Sequence, residues 1–382
     1  MTKQKGGGRN LAKKLRQKIP LRGKALKKSE NRRIFAGFVK SIIMENMREV
    51  FYQRERQTLS KYAMLCENTK GRQWSIEESP VRTEYMRDRD RIVHSKAFRR
   101  LKDKTQVFIN PVGSHYRTRL THTLEVAQIS RTISRCLFLN EDLTEAIALG
   151  HDLGHTPFGH AGERAITTYY HENGHPELKF EHNAQSLRIV EKLENGTGLN
   201  LTFEVRDGIY HHRKGMKPAT LEGMAVNYAD RIAYLNHDMD DALRAGIVQI
   251  SDFPKECLDV LGHTHSERIN RMITDIVSAS GEGTLHMSRE VEEATAQLRD
   301  YMFKEVYLDS AAKIEEKKVQ EVVNLLFEYY LEHLEELPSQ YGHFLKEEGP
   351  LACVADYISG MTDRYAVTRF QQIFIPHSWT LL

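Results

Sequence analysis

The sequence predicts an all-α protein with few short strands at most. Hydrophobic residues recur at spacings of three and four along much of the chain, which is the period of an amphipathic helix. Strand signals are confined to Gln106–Pro111 and Leu201–Glu204, and no internal repeat is present. With 382 residues, 40% of them hydrophobic, the chain can bury a large core.

Two helices are predicted on either side of residue 140. The first covers about 118–139, and its apolar stripe consists of Val126, Ile129, Ile133 and Leu137. The second covers about 143–153, because Asp142 and Glu145 have the spacing of a capping box. The segment 154–157 begins with glycine and ends with proline, so it should end this helix.

The remaining helices follow from the same periodicity. A third helix is predicted from near Gly159 to about His171, and a long one over 220–245. The buried stripe of the long helix comprises Met224, Tyr228, Ile232, Leu235 and Met239. Further helices fit 266–279, 288–307 and 311–335.

The first 43 residues differ from the rest of the chain in charge. Residues 1–43 contain 14 Lys or Arg and one acid, Glu30, and carry about +13, whereas residues 44–382 sum to about −10. We expect this basic arm to be disordered on its own and to be the part that binds a polyanion such as nucleic acid. It has no apolar region of a secretory signal. Alternatively, Met44 or Met47 is the natural start and the arm is upstream sequence.

The body, 44–382, is expected to form a single all-α domain because no convincing linker follows residue 60. Its core should cover about 115–245 and its helical C-terminal part about 246–382. No apolar run approaches the roughly 20 residues needed to span a bilayer, so we expect no membrane contact and a cytoplasmic location. The four cysteines form no CxxC pair, which disfavours a structural zinc site or a disulfide framework.

Histidines are concentrated in one part of the chain. Eight of the 18 fall within the 68 residues 115–182, which points to metal or acid–base chemistry. The adjacent pair His151 and Asp152 can supply two metal ligands from one turn, and His122 and Asp230 can complete a set of two His and two Asp. Each has a plainer interpretation alone: His122 as a core histidine, the pair as capping residues, Asp230 as a salt-bridged acid.

These residues belong to segments that resemble a known family. The sequence resembles the dGTPase-type deoxynucleoside triphosphate triphosphohydrolases of the HD-domain phosphohydrolase superfamily. The resemblance covers about 85–370, and the segments that carry it are 87–108, 117–131, 151–166, 180–187, 227–246 and 356–366.

The resemblance implies a fold, a cofactor and a reaction. The fold would be an HD-domain helical bundle with a helical C-terminal extension. A divalent metal ion, Mg²⁺ or Mn²⁺, would be held by His122, His151, Asp152 and Asp230. The reaction would be the hydrolysis of a dNTP, dGTP among them, to deoxynucleoside and tripolyphosphate.

It also implies roles for ten further residues. The catalytic residues would be His160 with Glu163, which lie three apart on one helical face, and the phosphate-contacting His155 and His182. From its context alone, His182 reads as a surface residue. The substrate-binding residues would be Gln106, Arg119, Arg231, Tyr234, Asp238 and Tyr365. On the residues alone, the stripe Asp230, Tyr234 and Asp238 reads equally well as a solvated polar face.

Other functions stay open at this point. Another HD phosphohydrolase, such as a nucleoside monophosphatase or a cyclic-dinucleotide phosphodiesterase, would keep the metal set. A nucleic-acid-binding regulator would use the basic arm. For partners, the resemblance implies a dNTP substrate and an even-numbered homo-oligomer such as a hexamer.

The charge asymmetry generates a first prediction. A chain beginning at Met44 should keep its hydrolytic rate and lose salt-sensitive binding to nucleic acid, because the acidic body repels a polyanion. Binding of duplex DNA by the full chain should weaken by about 0.9 log units per phosphate contact for each decade of salt. Fluorescence anisotropy across a salt series measures this. Equal binding by the shortened chain would instead assign it to a basic patch on the body that includes Arg99, Arg100, Lys102 and Lys104.

Overall fold

The computed structural model describes residues 47–106, 117–308 and 313–376. Sixteen α-helices, with several short turns of 3-10 or π helix, make up most of these residues. Within those ranges the only strand-like pairs are three isolated bridges, so the all-α prediction is confirmed. The basic arm 1–43 and most of Gln106–Pro111 lie outside the described residues. No helix among those described is both long and apolar enough to cross a membrane.

The helices are numbered here in chain order. They are α1 (47–58), α2 (Glu84–His94), α3 (Lys96–Arg100), α4 (Arg119–Cys136), α5 (Glu141–Gly150), α6 (His160–Glu172), α7 (His182–Arg188), α8 (Phe203–Tyr210), α9 (Leu221–Arg244), α10 (Lys255–Leu261), α11 (His265–Ala279), α12 (Arg289–Met302), α13 (Lys313–Glu332), α14 (Gly342–Glu348), α15 (Pro350–Ser359) and α16 (Asp363–Phe374).

The helices predicted from periodicity are confirmed, and local capping explains where they begin. α4 starts after Thr118, whose side chain accepts from the backbone N–H of Thr121 in a reciprocal capping box. α9 starts after Thr220, whose side chain accepts from the backbone N–H of Gly223. Both helices pack against each other and against α5, and this trio forms the centre of the core.

Two details of the predicted helices are wrong. α5 begins two residues earlier than expected, because Asn140 rather than Asp142 caps it and accepts from two backbone N–H groups, at 3.1 and 3.3 Å. Of the stripe predicted for the long helix, Met224 and Tyr228 are only half-buried, while the other three members are fully buried.

The strand predicted at Leu201–Glu204 is also wrong. The buried carboxylate of Asp88 accepts hydrogen bonds from the backbone N–H of Thr202, at 2.9 Å, and from its hydroxyl, at 2.6 Å. These bonds fix the chain at Thr202, which makes one isolated bridge to Arg72, and α8 begins at the next residue.

The segment between His155 and α6 is held by the C-terminal part of the chain. Its turn contains Phe158 at φ 62° and Gly159 at φ 60°, a left-handed conformation that costs energy for phenylalanine. Asp363, the first residue of α16, accepts from the backbone N–H of Phe158 at 2.9 Å. It also accepts from the backbone N–H of Thr105 at 3.0 Å and from the hydroxyl of the same residue.

A buried lysine and a buried carboxylate provide two more anchors. The Nζ of Lys104 donates to the carbonyl of His155 and, at 2.8 Å, to the carbonyl of Ser359 at the end of α15. Asp356 of α15 accepts from Gln185 at 2.9 Å and from Arg188 at 2.6 and 2.8 Å, both on α7. The C-terminal helices therefore fix the segment after α5 and the helix that carries His182.

These anchors generate a second prediction. Asp363→Ala should lower the free energy of unfolding by about 2–4 kcal/mol, because it leaves buried donors without an acceptor. Urea unfolding followed by circular dichroism measures the change. The matched control is Asp259→Ala, an exposed acid on α10, which should change it by less than about 0.5 kcal/mol. Equal effects of the two substitutions would contradict the anchoring role.

Candidate metal centre and histidine cluster

The structure brings the four predicted metal ligands together from three elements. His122 lies on α4, His151 and Asp152 form the turn after α5, and Asp230 lies on α9. The Nε2 of His122 is 3.0 Å from Oδ1 of Asp230. The Nε2 of His151 is 3.6 Å from Oδ1 of Asp152 and 3.7 Å from Oδ1 of Asp230. Adjacent ligands of a divalent ion lie about 3 Å apart when each bond is about 2.1 Å, so this spacing suits an ion.

The protonation of His151 also fits a metal ligand. Its Nδ1 lies 2.7 Å from the carbonyl of Ala148, which can only accept a hydrogen bond, so Nδ1 carries the proton. The Nε2 atom is therefore an unprotonated donor atom for an ion. It is buried and makes no hydrogen bond within the described part of the chain. This buried lone pair has no partner and faces two carboxylates. A divalent ion bound between the three groups would satisfy all of them.

Electrostatics keep both aspartates ionised. Burial opposes the charge of Asp152, but its electrostatic interactions with the neighbouring His151 and Arg119 outweigh burial and hold its pKa well below the usual range. Arg119 donates to Oδ2 of Asp152 at 2.7 Å. Burial likewise opposes the charge of Asp230, but the hydrogen bond with His122 and the interaction with the neighbouring His151 outweigh burial and lower its pKa to about 2. Two carboxylates that stay charged at neutral pH are the electrostatic requirement for holding a cation.

The four predicted catalytic residues form a second cluster around one carboxylate. Glu163 is 3.0 Å from Nδ1 of His160 and 3.2 Å from Nδ1 of His182, and it accepts from the backbone N–H of His182 as well. Burial alone would raise the pKa of Glu163, but the hydrogen bonds from His160 and His182 outweigh it and lower that pKa below its usual range. A charged Glu163 thus fixes the proton of each imidazole on Nδ1.

The members of this cluster differ in exposure. The ring of His155 stacks on that of His182 with centroids 4.4 Å apart, and both are buried. Burial, together with the charges of Arg119 and His182, lowers the pKa of His155 well below its usual range. His160 has 63% of its side chain exposed. The interpretation of His182 as a surface residue is wrong, because its hydrogen bonds with the Glu163 carboxylate hold it inside the protein.

One histidine of the site was missed by the sequence reasoning. His212, which follows α8, is buried, and its ring centroid is 5.0 Å from that of His151. Its Nε2 is 3.3 Å from Nε2 of His182. Burial, together with the neighbouring imidazoles of His151 and His182, lowers its pKa to about 3. The pair His211–His212 in the sequence was the available signal, but the run of Arg and Lys after it suggests solvent.

Two of the predicted substrate-binding residues adjoin the metal set. Arg119 is buried; besides its ion pair with Asp152, it lies 3.5 Å from the carbonyl oxygen of Gln106. Gln106 is half-buried, and its Oε1 has no hydrogen-bond partner within the described residues. The Gln106 amide oxygen is therefore free to accept from a ligand, whereas two of the Arg119 donors are directed at protein oxygens.

Three further candidates lie on α9. Tyr234 is half-buried and Asp238 is buried, one and two turns after Asp230, and burial raises the pKa of Tyr234. Arg231 makes a two-pronged ion pair with Glu292 of α12, at 2.7 Å for each bond. This ion pair connects α9 to α12. It also occupies the Arg231 guanidinium, which was predicted to contact the nucleotide.

Tyr365, the last candidate, is 44% exposed on α16, and its hydroxyl is 3.1 Å from that of Tyr357. It lies two residues after Asp363, which holds the turn before α6. Its role in a base pocket stays a prediction.

Family comparisons agree with this geometry. The HD domain family matches residues 119–235, a range that contains all four predicted metal ligands. A second family, described as a phosphohydrolase-associated domain, matches residues 285–372 and so includes the anchors on α15 and α16.

Curated relatives cover nearly the whole body of the chain. A deoxyguanosinetriphosphate triphosphohydrolase-like protein of Caldanaerobacter subterraneus subsp. tengcongensis is 51% identical over 335 residues, which are 87% of this chain and 97% of the relative. Proteins of the same name from Desulfatibacillum aliphaticivorans and Clostridium tetani are both 46% identical, over 86% and 88% of this chain and 98% of each relative. The chain therefore belongs to the deoxyguanosinetriphosphate triphosphohydrolase-like family of HD-domain phosphohydrolases.

Proposed function

We propose that this protein hydrolyses deoxynucleoside triphosphates, dGTP among them, to deoxynucleoside and tripolyphosphate. The observation that carries the proposal is the juxtaposition of two clusters. The two-His, two-Asp set built from His122, His151, Asp152 and Asp230 lies beside the carboxylate-anchored pair His160 and His182. The names of the relatives support the triphosphate as substrate.

Mg²⁺ or Mn²⁺ is the proposed cofactor, because mixed carboxylate and imidazole ligands suit these ions. When bound, the ion supplies positive charge that stabilises the phosphoryl group under attack. The residues that would hold it are the two histidines and two aspartates of the set. Arg119 keeps Asp152 ionised and oriented through its 2.7 Å bond, so it supports the ion site even with no contact to substrate.

Proton transfer is assigned to His160. Glu163 fixes the proton of this imidazole on Nδ1, which leaves Nε2 on the exposed side of the ring. In the imidazolium form, stabilised by the same carboxylate, Nε2 can donate a proton to the departing 5′-oxygen while water attacks the α-phosphorus. His155 is neutral because of its burial, yet one ring N–H remains to donate to a phosphoryl oxygen.

The polar stripe on α9 is proposed to contact successive parts of the nucleotide, from its phosphates to its sugar. Asp230, Tyr234 and Asp238 are spaced one turn apart, so about 12 Å of helix separates the metal ligand from the second carboxylate. Phosphate at the ion would place the sugar near Tyr234, whose ring would exclude a 2′-hydroxyl. Asp238 and Gln106 would then accept from the 3′-hydroxyl.

Product identity tests this function. The wild-type protein with Mg²⁺ or Mn²⁺ should release deoxynucleoside and tripolyphosphate in equal amounts from each dNTP it accepts, which ion-exchange chromatography of a time course measures. GTP should react poorly, and a His122→Ala protein should release no product. Monophosphate and pyrophosphate as the first products would refute the proposed bond cleavage.

The proton-transfer role gives a separate prediction. His160→Ala and Glu163→Gln should each lower kcat by about 100-fold, with little change in KM, because they remove acid–base help rather than binding. Steady-state kinetics on the preferred dNTP measure both constants. The control is His171→Ala, an exposed histidine at the other end of α6, which should keep the wild-type kcat. A His160→Ala protein within twofold of the wild-type kcat would remove His160 from the mechanism.

A further inference from the structure

Lys104 is a buried lysine that the proposed mechanism does not use. Its Nζ donates to the carbonyl of His155 and, at 2.8 Å, to the carbonyl of Ser359. The carbonyl of Lys104 in turn accepts from the backbone N–H of Arg119 at 3.0 Å. One residue is therefore bonded to the segment after α5, to the end of α15 and to the start of α4.

Two cross-links hold residues 104–106 against residues 155–159. The first is the direct bond from the Lys104 amine to the His155 carbonyl. The second passes through Asp363, whose carboxylate accepts from one backbone N–H of each segment, at 3.0 and 2.9 Å. The relative position of the two segments is therefore fixed by buried side chains rather than by a strand pairing.

The two segments also approach each other closely between these cross-links. A Cβ on Gly159 would lie 3.5 Å from the carbonyl oxygen of Gln106 and 3.7 Å from that of Thr105. Little more than a methyl group would fit at this point. A shift of one segment would therefore be transmitted to the other.

These segments carry residues that are proposed to contact opposite ends of the nucleotide. His155 is assigned to the phosphates. Gln106 is assigned to the 3′-hydroxyl, and its Oε1 has no hydrogen-bond partner within the described residues. Lys104 lies two residues before Gln106 and is bonded to the backbone of His155, so its amine can fix the distance between the two side chains.

The charge state of Lys104 also distinguishes it. Its two acceptors are both carbonyls, and no carboxylate among the described residues lies within ion-pair distance of Nζ. Burial, with the positive charges of Arg100 and Arg119, lowers the pKa of the amine to about 7. The carboxylates of Asp363 and Asp152 oppose this shift without cancelling it. An uncharged amine has two N–H groups, which match the two carbonyls.

We propose that Lys104, as an uncharged amine, positions Gln106 relative to His155 and thereby enforces recognition of the 3′-hydroxyl. The inference rests on the proposed function, in which Gln106 accepts from this hydroxyl. Lys104 acts through Gln106 and is a positioning residue. An ammonium group at the same place would carry a third N–H and a buried charge that the two carbonyls do not compensate.

The charge state is tested without any nucleotide. Between about pH 7 and pH 10.5 the unfolded chain binds a proton at Lys104 and the folded chain does not, so stability rises with pH in this window. The unfolding constant of the wild-type protein should therefore fall by up to about tenfold per pH unit relative to that of Lys104→Met. Urea unfolding at several values between about pH 7.5 and 9.5 measures both constants. Parallel pH dependences would mean a charged amine and would overturn the proposal.

The positioning role is measured as the ratio of kcat/KM for dGTP to that for its 2′,3′-dideoxy analogue, which lacks the 3′-hydroxyl. Gln106→Ala should lower this ratio by about tenfold, the usual effect of one lost hydrogen bond. Lys104→Met should lower it by a similar factor, and the double variant should lower it no further, because both changes remove the same contact. Lys102→Met, at an exposed lysine two residues earlier, is the matched control and should keep the wild-type ratio.

The outcomes separate this inference from the proposed function. A purely structural role of Lys104 would slow both nucleotides equally, so an unchanged ratio in Lys104→Met overturns the inference, as does a further drop in the double variant. Failure of the wild-type protein to hydrolyse any dNTP contradicts the proposed function instead. If Lys104→Met does not fold, Lys104→Gln replaces it in both experiments with the same expected results, because its uncharged NH₂ group is on a side chain too short to reach both carbonyls.

Discussion

The burial of the Asp152 carboxylate among histidines is the interaction on which the rest of the site depends. An ionised carboxylate that is 3% exposed loses several kcal/mol of hydration, and only close positive or hydrogen-bonding partners offset this loss. Arg119, at the start of α4, supplies the direct partner, so the register of α4 against the end of α5 is fixed by charge as well as by packing. The bound ion would complete this compensation, so metal binding and local stability are coupled.

The two halves of the site are supported by different parts of the chain. α4, α5 and α9 carry the metal set and pack against one another in the core. The histidine cluster lies on the segment after α5 and at the starts of α6 and α7, and these parts depend on Lys104, Asp356 and Asp363 for their position. A Cβ at Gly154 would overlap the backbone of Ser186, so the segment also lies directly on α7. The region matched by the phosphohydrolase-associated family thus supports the half of the site that holds the histidine cluster.

Periodicity predicted the long helices because their burial patterns are local and extend over several turns. Prediction from the sequence failed where a partner distant in sequence decides the outcome. The bonds from Thr202 to Asp88 ended a predicted strand, and the Glu292 partner of Arg231 lies 61 residues away from it. His212 was missed because the bond to Ile209 and the contact with His182 exist only in the folded chain. The metal set was recognisable since its residue types are unusual together.

The long sequence separation of the anchors has a consequence for synthesis of the protein. Phe158 and the Asp363 carboxylate that holds it are 205 residues apart. At ribosomal rates of about 5–20 residues per second, the anchor emerges about 10–40 s after the turn it secures. During that interval α4, α5 and α9 can already assemble and capture an ion, while the turn before α6 is still without its carboxylate. The nascent chain should therefore acquire metal before it acquires a complete active site, and a chain shortened before α15 would be arrested at that stage.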